Sequence, residues 1–399
     1  MYTPAQVGEL EIVLKISAIL IVLAGFRYEM AIIVEDDQEK ANDLTRLSIF
    51  LNTIVTLLSF LVLAFFQEAL GDFLDISNTE ILYAIPAIVW LGGNTETLIV
   101  WYNRQQKYHK ISANRLTSAS VSAGYKVAHP FYSIFSSNGL VIGHILGLAT
   151  AIFHLLYKLP FKLLNTTKSS FKAIATKYRN FPLYSMPGAV LNLTSASVPV
   201  FLLTYFDGGD AAGHFAYAYK LSYLPLSMLA MALGQVFFER ISRNKSNMKK
   251  ANALARELLH LLLALTAIPA ILLFFLGEDL AIILLGETWR EAGTYIESTI
   301  LFYTAMFISN PFFCLFDVYQ RLKQELIFNF LFLVGGAAAM YWAHVQGYNS
   351  LIALQWFSVI GIILRFGVLN YLFRLVGGYI LPTLLLLSSL AGIVYYFIS

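Results

Sequence analysis

Cysteine, charge and catalytic motifs are what this chain lacks. One cysteine, Cys314, stands in 399 residues, so an internal disulfide and a Cys-rich metal site are both excluded, and its neighbours Phe312, Phe313 and Leu315 point to simple packing. Only 13% of the residues are charged, too few to give a soluble chain of this length a polar shell. The net charge is +3, and no basic stretch alternates with stacking aromatics, so nucleic acid is not an expected partner. A Walker A loop, a Gly-x-Ser-x-Gly elbow and a His-Glu-x-x-His pair are all missing, which argues against a primary pump and a membrane hydrolase. His144 and His154 share one apolar stretch but stand too far apart to form one metal face. No catalytic residue, metal or cofactor is implied.

What is present is hydrocarbon. With 58% apolar and 15% aromatic residues, the bilayer has to be the solvent, and hydrocarbon requires each spanning segment to satisfy its own backbone amides. Runs of about 20 apolar residues are therefore helices, and the short alternating strands of a barrel are absent. Twelve spans are expected, near 8–33, 46–67, 80–102, 113–134, 139–157, 183–206, 211–238, 254–276, 293–318, 325–344, 349–373 and 379–398. The fold class is an all-α integral membrane protein with almost no mass outside the bilayer. The longest polar connection, 158–182, carries Lys162, Lys168, Lys172, Lys177 and Arg179 and splits the chain near its middle. It sets the expected lobes: five helices in 1–157, six in 183–375, and an extra carboxy-terminal membrane helix in 376–399.

Short loops rich in lysine and arginine stay cytoplasmic. The connections 104–115, 158–182, 240–256 and 321–323 and Arg374 are basic, whereas 67–79, 136–138, 207–210, 277–293 and 344–349 hold only Arg290 as a lysine or arginine. The first set is expected inside and the second outside, which leaves both termini outside. The loop 35–43 is acidic apart from Lys40, and its place inside rests on the alternation.

An internal repeat accompanies this order. A shift of 210 residues matches Glu29 with Glu239, Lys40 with Lys250, Asn42 with Asn252, Arg46 with Arg256 and Glu68 with Glu278, through the words KANDLTR and KANALAR. The same shift superposes spans one to five on spans seven to eleven, which implies two pseudo-symmetric helical lobes. Span six then needs a partner ahead of Met1, so one amino-terminal helix is expected to be missing. Glu29 and Glu239, equivalent under the shift, are expected to tie helix ends to Arg46 and Arg256. Two such lobes around a cleft describe an alternating-access carrier.

Five stretches carry a family resemblance. Gly25-Phe-Arg-Tyr-Glu-Met-Ala-Ile-Ile-Val34, followed by Glu35-Asp-Asp, resembles the signature after the second helix of the polysaccharide-type flippases, the O-antigen translocases of the multidrug/oligosaccharidyl-lipid/polysaccharide exporter superfamily. Tyr28, Glu29 and Glu239 fall in its structural signature. Similar agreement is found in Asn103-Arg-Gln-Gln-Lys-Tyr108, in Tyr178-Arg-Asn-Phe-Pro-Leu-Tyr-Ser-Met-Pro187, in Leu224-Pro-Leu-Ser with Gly234-Gln-Val-Phe-Phe-Glu-Arg240, and in Gly286-Glu-Thr-Trp-Arg-Glu-Ala-Gly293. The resemblance covers roughly residues 1 to 375 and lacks the family's first helix. It implies a multi-pass protein of the bacterial cytoplasmic membrane that flips a polyprenyl-diphosphate-linked oligosaccharide, an O-antigen or exopolysaccharide repeat unit, alongside polymerase and ligase machinery.

A diphosphate cannot enter hydrocarbon unless cations meet it. Lys126, Lys220, Arg27 and Arg365 lie within spans and are the candidates. Arg27, two residues from Glu29, and Arg365, near a cytoplasmic end, also admit a purely structural reading. Tyr125, Tyr217, Tyr219 and Tyr223 could offer sugar platforms, against the ordinary reading of interface anchors. Glu96 and Glu297 are the candidates for ion coupling, weighed against capping or pairing. Two rival functions stay open: a cation-coupled multidrug exporter of the same superfamily, whose cavity would be acidic, and a membrane polysaccharide polymerase or glycosyltransferase, which would need a large charged outer loop.

Overall fold

The structure, a computed structural model, describes residues 2–74, 76, 79–132, 139–157, 159, 160, 168–319 and 321–379. The expected span 379–398 falls almost wholly outside them, as does the loop 136–138. Helices account for nearly all of the described chain, and no strand occurs among the described residues. Packing divides it into two compact units, Met1–Ser197 with Gly208–Asp210, and Val198–Asp207 with Ala211–Ser399.

The first unit contains α1 (Pro4–Gly25), α2 (Tyr28–Val34), α3 (Gln38–Phe73), α4 (Ala84–Arg104), α5 (Tyr108–Tyr132), α6 (Gly139–Leu156), α7 (Lys168–Lys177) and most of α8 (Met186–Asp207). The second contains α9 (Gly209–Ser222), α10 (Leu224–Asn244), α11 (Met248–Leu285), α12 (Arg290–Ser309), α13 (Cys314–Val318), α14 (Leu322–Val345) and α15 (Ser350–Leu375). Eight helical stretches have the length and hydropathy to cross a membrane. The count of twelve is not confirmed. α1, α4 and α5 have spanning length, but polar residues interrupt their apolar runs.

Three expected spans are broken helices. The run 8–33 stops at Gly25 because Phe26 and Arg27 take left-handed angles, φ 47° and 60°, a conformation that costs a non-glycine residue about 1 kcal/mol. The run 211–238 breaks at Tyr223, ahead of Pro225. The run 293–318 passes through a 3₁₀ turn at Asn310–Phe313, where Pro311 has no N–H to donate and crowds the preceding turn.

The 210-residue repeat is visible in the backbone. Asp37 caps α3 by accepting a bond from the Lys40 amide at 3.0 Å, and Asn247 caps α11 by accepting one from the Lys250 amide at 3.1 Å. Phe66 interrupts α3 at φ −125°, ψ 16°, and Leu276 interrupts α11 at φ −126°, ψ 15°. α2 ends at Val34 and α10 at Asn244. Each of these pairs lies 210 residues apart.

In the first unit α4 sits among α1, α3 and α6. Gly92 lets α1 come close: a Cβ there would lie 2.8 Å from Ile21 Cδ1. Trp101 and Tyr102 are buried beside Leu44 and Leu155, and Trp101 Nε1 donates to Asn42 Oδ1 at 2.9 Å. In the second unit α12 packs along α11 and α15, around Phe307, Phe312, Phe316 and Phe373. Lipid tails are as apolar as leucine, so close packing and internal polar bonds hold such helices together.

Candidate functional site

Two outward faces show where polar chemistry can enter. α3 exposes Leu57, Leu58, Phe60, Leu61 and Phe65, all at least half exposed, which suits acyl chains. α5 exposes Ser112, Arg115, Thr117 and Ser120 among Leu116, Val121, Val127 and Phe131, a mixed face whose guanidinium and hydroxyls lipid would penalise. An open groove of ≈ 640 Å³ follows Ala123, Gly124, Val127, Ala128 and Phe131 of that helix. Lys126 lies in the same turns, half buried. Its carbonyl accepts a bond from the Tyr2 hydroxyl at 2.8 Å, and its stem packs where a Cβ on Gly143 would fall, 2.7 Å from Lys126 Cγ.

The other nominated residues divide between the units. Arg27 stands at the start of α2 without a capping bond, its Nη1 3.8 Å from Glu29 Oε1, a loose pair. Glu29 is buried, and its Oε2 has no partner among the described residues. Nearby, Asn52 Nδ2 donates to Asn94 Oδ1 at 3.1 Å and to Thr97 Oγ1 at 3.4 Å, while Asn52 Oδ1 is unpartnered. Glu96 is exposed on α4, within electrostatic reach of Arg115 and Glu29.

In the second unit, Lys220 is half buried with its Nζ 5.4 Å from the Tyr217 ring, and Tyr217 leans on Trp289 at 4.3 Å. Trp289 belongs to the Gly286–Gly293 stretch, which is tied at Arg290 to Glu278 and Glu287. Glu297 accepts the Glu278 amide at 3.0 Å and so caps the kink of α11. Arg365 is 6% exposed. Its Nη1 donates to Asn310 Oδ1 at 2.6 Å, and Asn310 Nδ2 donates to Tyr223 Oη at 2.6 Å. Its guanidinium faces Phe313, Phe328 and Phe332 at 5.2, 5.7 and 5.3 Å. No carboxylate among the described residues pairs with it, and its Nε is unpartnered. One chain of bonds thus joins the break at Tyr223, the turn at Asn310 and α15.

The expected ties of Glu29 to Arg46 and of Glu239 to Arg256 do not form. Arg46 pairs with Asp43 at 2.6 Å, one helical turn away and within easier reach. Glu239 is exposed and pairs with Arg243 at 2.6 Å, and Arg256 Nε donates to Asn252 Oδ1 at 2.9 Å.

Three of the resembling stretches meet at one corner that the sequence did not nominate. Glu35, with a side chain 4% exposed, accepts bonds from Lys177 Nζ at 2.5 Å, Tyr178 Oη at 2.7 Å and the Asp37 amide at 3.2 Å. Arg104 donates from Nη2 to the carbonyls of Glu35 and Asp36 at 2.7 and 2.9 Å. Tyr28 Oη donates to the Ala175 carbonyl at 3.2 Å. Burial works to raise the Glu35 pKa, but the bonds from Lys177, Tyr178 and Asp37 and the Lys177 charge outweigh it and bring the carboxyl to about 2. The Lys177 ammonium is pushed above its usual range by its bonds to Glu35 and Tyr178. Acid spacing around a buried helix end was the available signal; the partner lay 142 residues away.

The sequence profile of a family described as "Polysaccharide biosynthesis protein" matches residues 1–294. No curated protein matches. Among solved structures, the fold is similar to a multidrug resistance MATE family transporter of the MOP superfamily in its inward-facing conformation, with a TM-score of 0.72 and 12% identity over 94% of this chain and 91% of that one. It is also similar to the lipid II flippase MurJ, inward closed, at 0.74 and 14% identity over 98% and 90%, and to the Vibrio cholerae MATE transporter VcmN in the bent form, at 0.58 and 15% over 92% and 86%.

Proposed function

We propose, from the premise that this chain belongs to the polysaccharide biosynthesis protein family, that it flips a polyprenyl-diphosphate-linked oligosaccharide across a bacterial cytoplasmic membrane by alternating access. The reading is transport rather than catalysis. The observation that carries it is α5, a helix of spanning length that exposes Ser112, Arg115, Thr117 and Ser120 beside Leu116, Val121 and Val127, with an open groove along its later turns next to Lys126. Such a face needs water or a polar cargo at membrane depth. A flippase meets that need by sheltering the sugar and diphosphate while the polyprenyl tail stays in lipid. The fold shared with a MATE transporter and with MurJ supports the same reading.

Lys126 and Lys220 are the first candidates to meet the diphosphate, with Arg27 behind them. Arg365 would reach an anion only after its aromatic surround opens. Glu96, exposed at membrane depth, is the better placed of the two coupling candidates, since Glu297 already holds a helix kink. The basic connections face the cytoplasm in this reading, by the positive-inside rule.

The test is a leaflet-exposure assay in vesicles with a fluorescent polyprenyl-diphosphate sugar. Wild type should move the probe. Lys126→Ala and Lys220→Ala should each slow it about tenfold or more, the scale on which one lost charge-assisted bond acts. A chain that moves no probe, or that moves small organic cations instead, overturns the reading in favour of inactivity or multidrug export.

A further inference from the structure

The join between α10 and α11 is strongly basic. Arg240, Arg243, Lys245, Lys249 and Lys250 are all exposed. Glu239 and Glu257 engage the two arginines, at 2.6 and 4.0 Å, but no acidic side chain among the described residues pairs with the three lysines. Lys249 and Lys250 also sit in the first turn of α11, which holds no acid. A helix N-terminus carries partial positive charge, so two lysines there concentrate charge of one sign and call for an anion.

The surroundings say what kind of anion. Met248 is 51% exposed in the midst of these lysines. The end of α15 returns beside it: Asn252 Nδ2 donates to the Gly377 carbonyl at 3.0 Å, and Tyr379, 67% exposed, lies 5.8 Å from the Arg374 guanidinium. α11 then runs directly into a span of hydropathy 2.5. Lysines that flank an exposed methionine, and an arginine beside an exposed tyrosine, at the mouth of an apolar helix are the chemistry of a bilayer surface.

The repeat supplies an internal control. The matching join, between α2 and α3, carries Glu35, Asp36 and Asp37, and α7 covers it with Lys177. The stretch 210 residues beyond α7 lies in 376–399, which contains no charged residue at all. The acidic join thus has a basic cover, whereas the stretch equivalent to that cover under the shift carries no acidic side chain in its sequence.

We propose that the α10–α11 join docks anionic phospholipid headgroups of the adjoining leaflet, with Lys245, Lys249 and Lys250 meeting the phosphates and Met248 and Tyr379 seated in the interface. The proposal does not depend on what the protein transports.

The experiment uses the full chain in nanodiscs of equal phosphatidylcholine and phosphatidylglycerol, with retained lipids counted by native mass spectrometry. Wild type should retain phosphatidylglycerol preferentially, and the preference should fall as salt rises. The Lys245→Gln/Lys249→Gln/Lys250→Gln variant should lose it by roughly fivefold for each charge removed. A control, Lys107→Gln/Lys172→Gln/Arg179→Gln, takes three exposed cations from the first unit and should leave it in place. A preference that ignores salt in wild type, a lysine variant that keeps it, a control that loses as much, or retention of an added polyprenyl diphosphate alone would each overturn the proposal. The salt titration on wild type stands even where a variant fails to fold.

Discussion

The α2–α3 join and the α10–α11 join share a backbone and oppose each other in charge. Both long helices open on an Asx cap and kink at the same place with the same angles, yet Glu35 in the first corner corresponds to Lys245 in the second. The first corner is closed by Lys177, Tyr178 and Arg104; the second presents its lysines outward. Deeper in the helices the units differ at positions that the shift does not relate: the first buries Glu29 with one carboxylate oxygen unpartnered, and the second buries Arg365 with its Nε unpartnered, among the described residues. Caps and kinks are set by local backbone needs that both copies share. Charges answer to what each face meets, and there the copies have diverged.

The largest break in the comparison is expected at Arg365. Its side chain fills the space among Phe313, Phe328 and Phe332, so Arg365→Ala should leave a cavity and lower stability by about 3 kcal/mol. Arg365→Met keeps the volume and removes an unpaired buried charge, and should stay within about 1 kcal/mol of wild type. Unfolding of both variants in one bilayer system checks this. If methionine proves as damaging as alanine, the bond to Asn310 outweighs the filling, and Arg365 is as firmly paired as Glu35.

The corners themselves come next. Glu35→Ala removes the acceptor for a lysine, a tyrosine and an amide, and should cost about 2 kcal/mol. Lys245→Ala, at the repeat-equivalent position, loses no ion pair among the described residues and should change stability by less than about 0.5 kcal/mol. The pH dependence follows from the shifts. The Glu35 carboxyl, lowered to about 2 from 4.5, contributes stability that is present above about 4.5 and is lost as pH falls towards 2. The Lys177 ammonium, raised from 10.5, contributes stability that is present below 10.5 and is lost as pH rises beyond it. The difference between wild type and Glu35→Gln should therefore be flat between these limits and shrink outside them. Melting curves across pH measure it. A difference near zero even at neutral pH would mean that the corner is held by the backbone bonds of Arg104 and Tyr28 instead.

Much of this was legible in the sequence. Runs such as 46–67 and 254–276 have only one reading in hydrocarbon, and KANDLTR with KANALAR fixed the shift that the caps and kinks obey. Helix breaks were less legible. Pro225 and Pro311 signal two of them, but nothing local marks Phe26 and Arg27, whose left-handed angles are imposed by the fold around them. Polar pairing was least legible. Glu35 and Lys177 are 142 residues apart, and Asn310, Tyr223 and Arg365 come from three separate helical regions. A short-range expectation, such as Glu29 with Arg46, fails because each arginine finds a nearer acceptor on its own helix.

The smallest expected effect separates two residues that the repeat makes equivalent. Glu239 is exposed and bonded to Arg243 one turn along α10, so Glu239→Gln gives up a solvent-screened pair and should shift stability by less than about 0.5 kcal/mol. Glu29 is buried, its one ionic partner among the described residues is 3.8 Å away, and Asn52 Oδ1 lies near it with no donor among them. Glutamine there keeps the shape, removes the buried charge and brings an amide that can donate to Asn52, so Glu29→Gln should raise stability by about 1 kcal/mol. Unfolding of the two variants side by side decides it. Opposite behaviour at equivalent positions would follow from burial alone. A loss of stability at Glu29 would instead mean that its charge is satisfied in the membrane by Arg27, and that the first unit pairs its buried ion where the second does not.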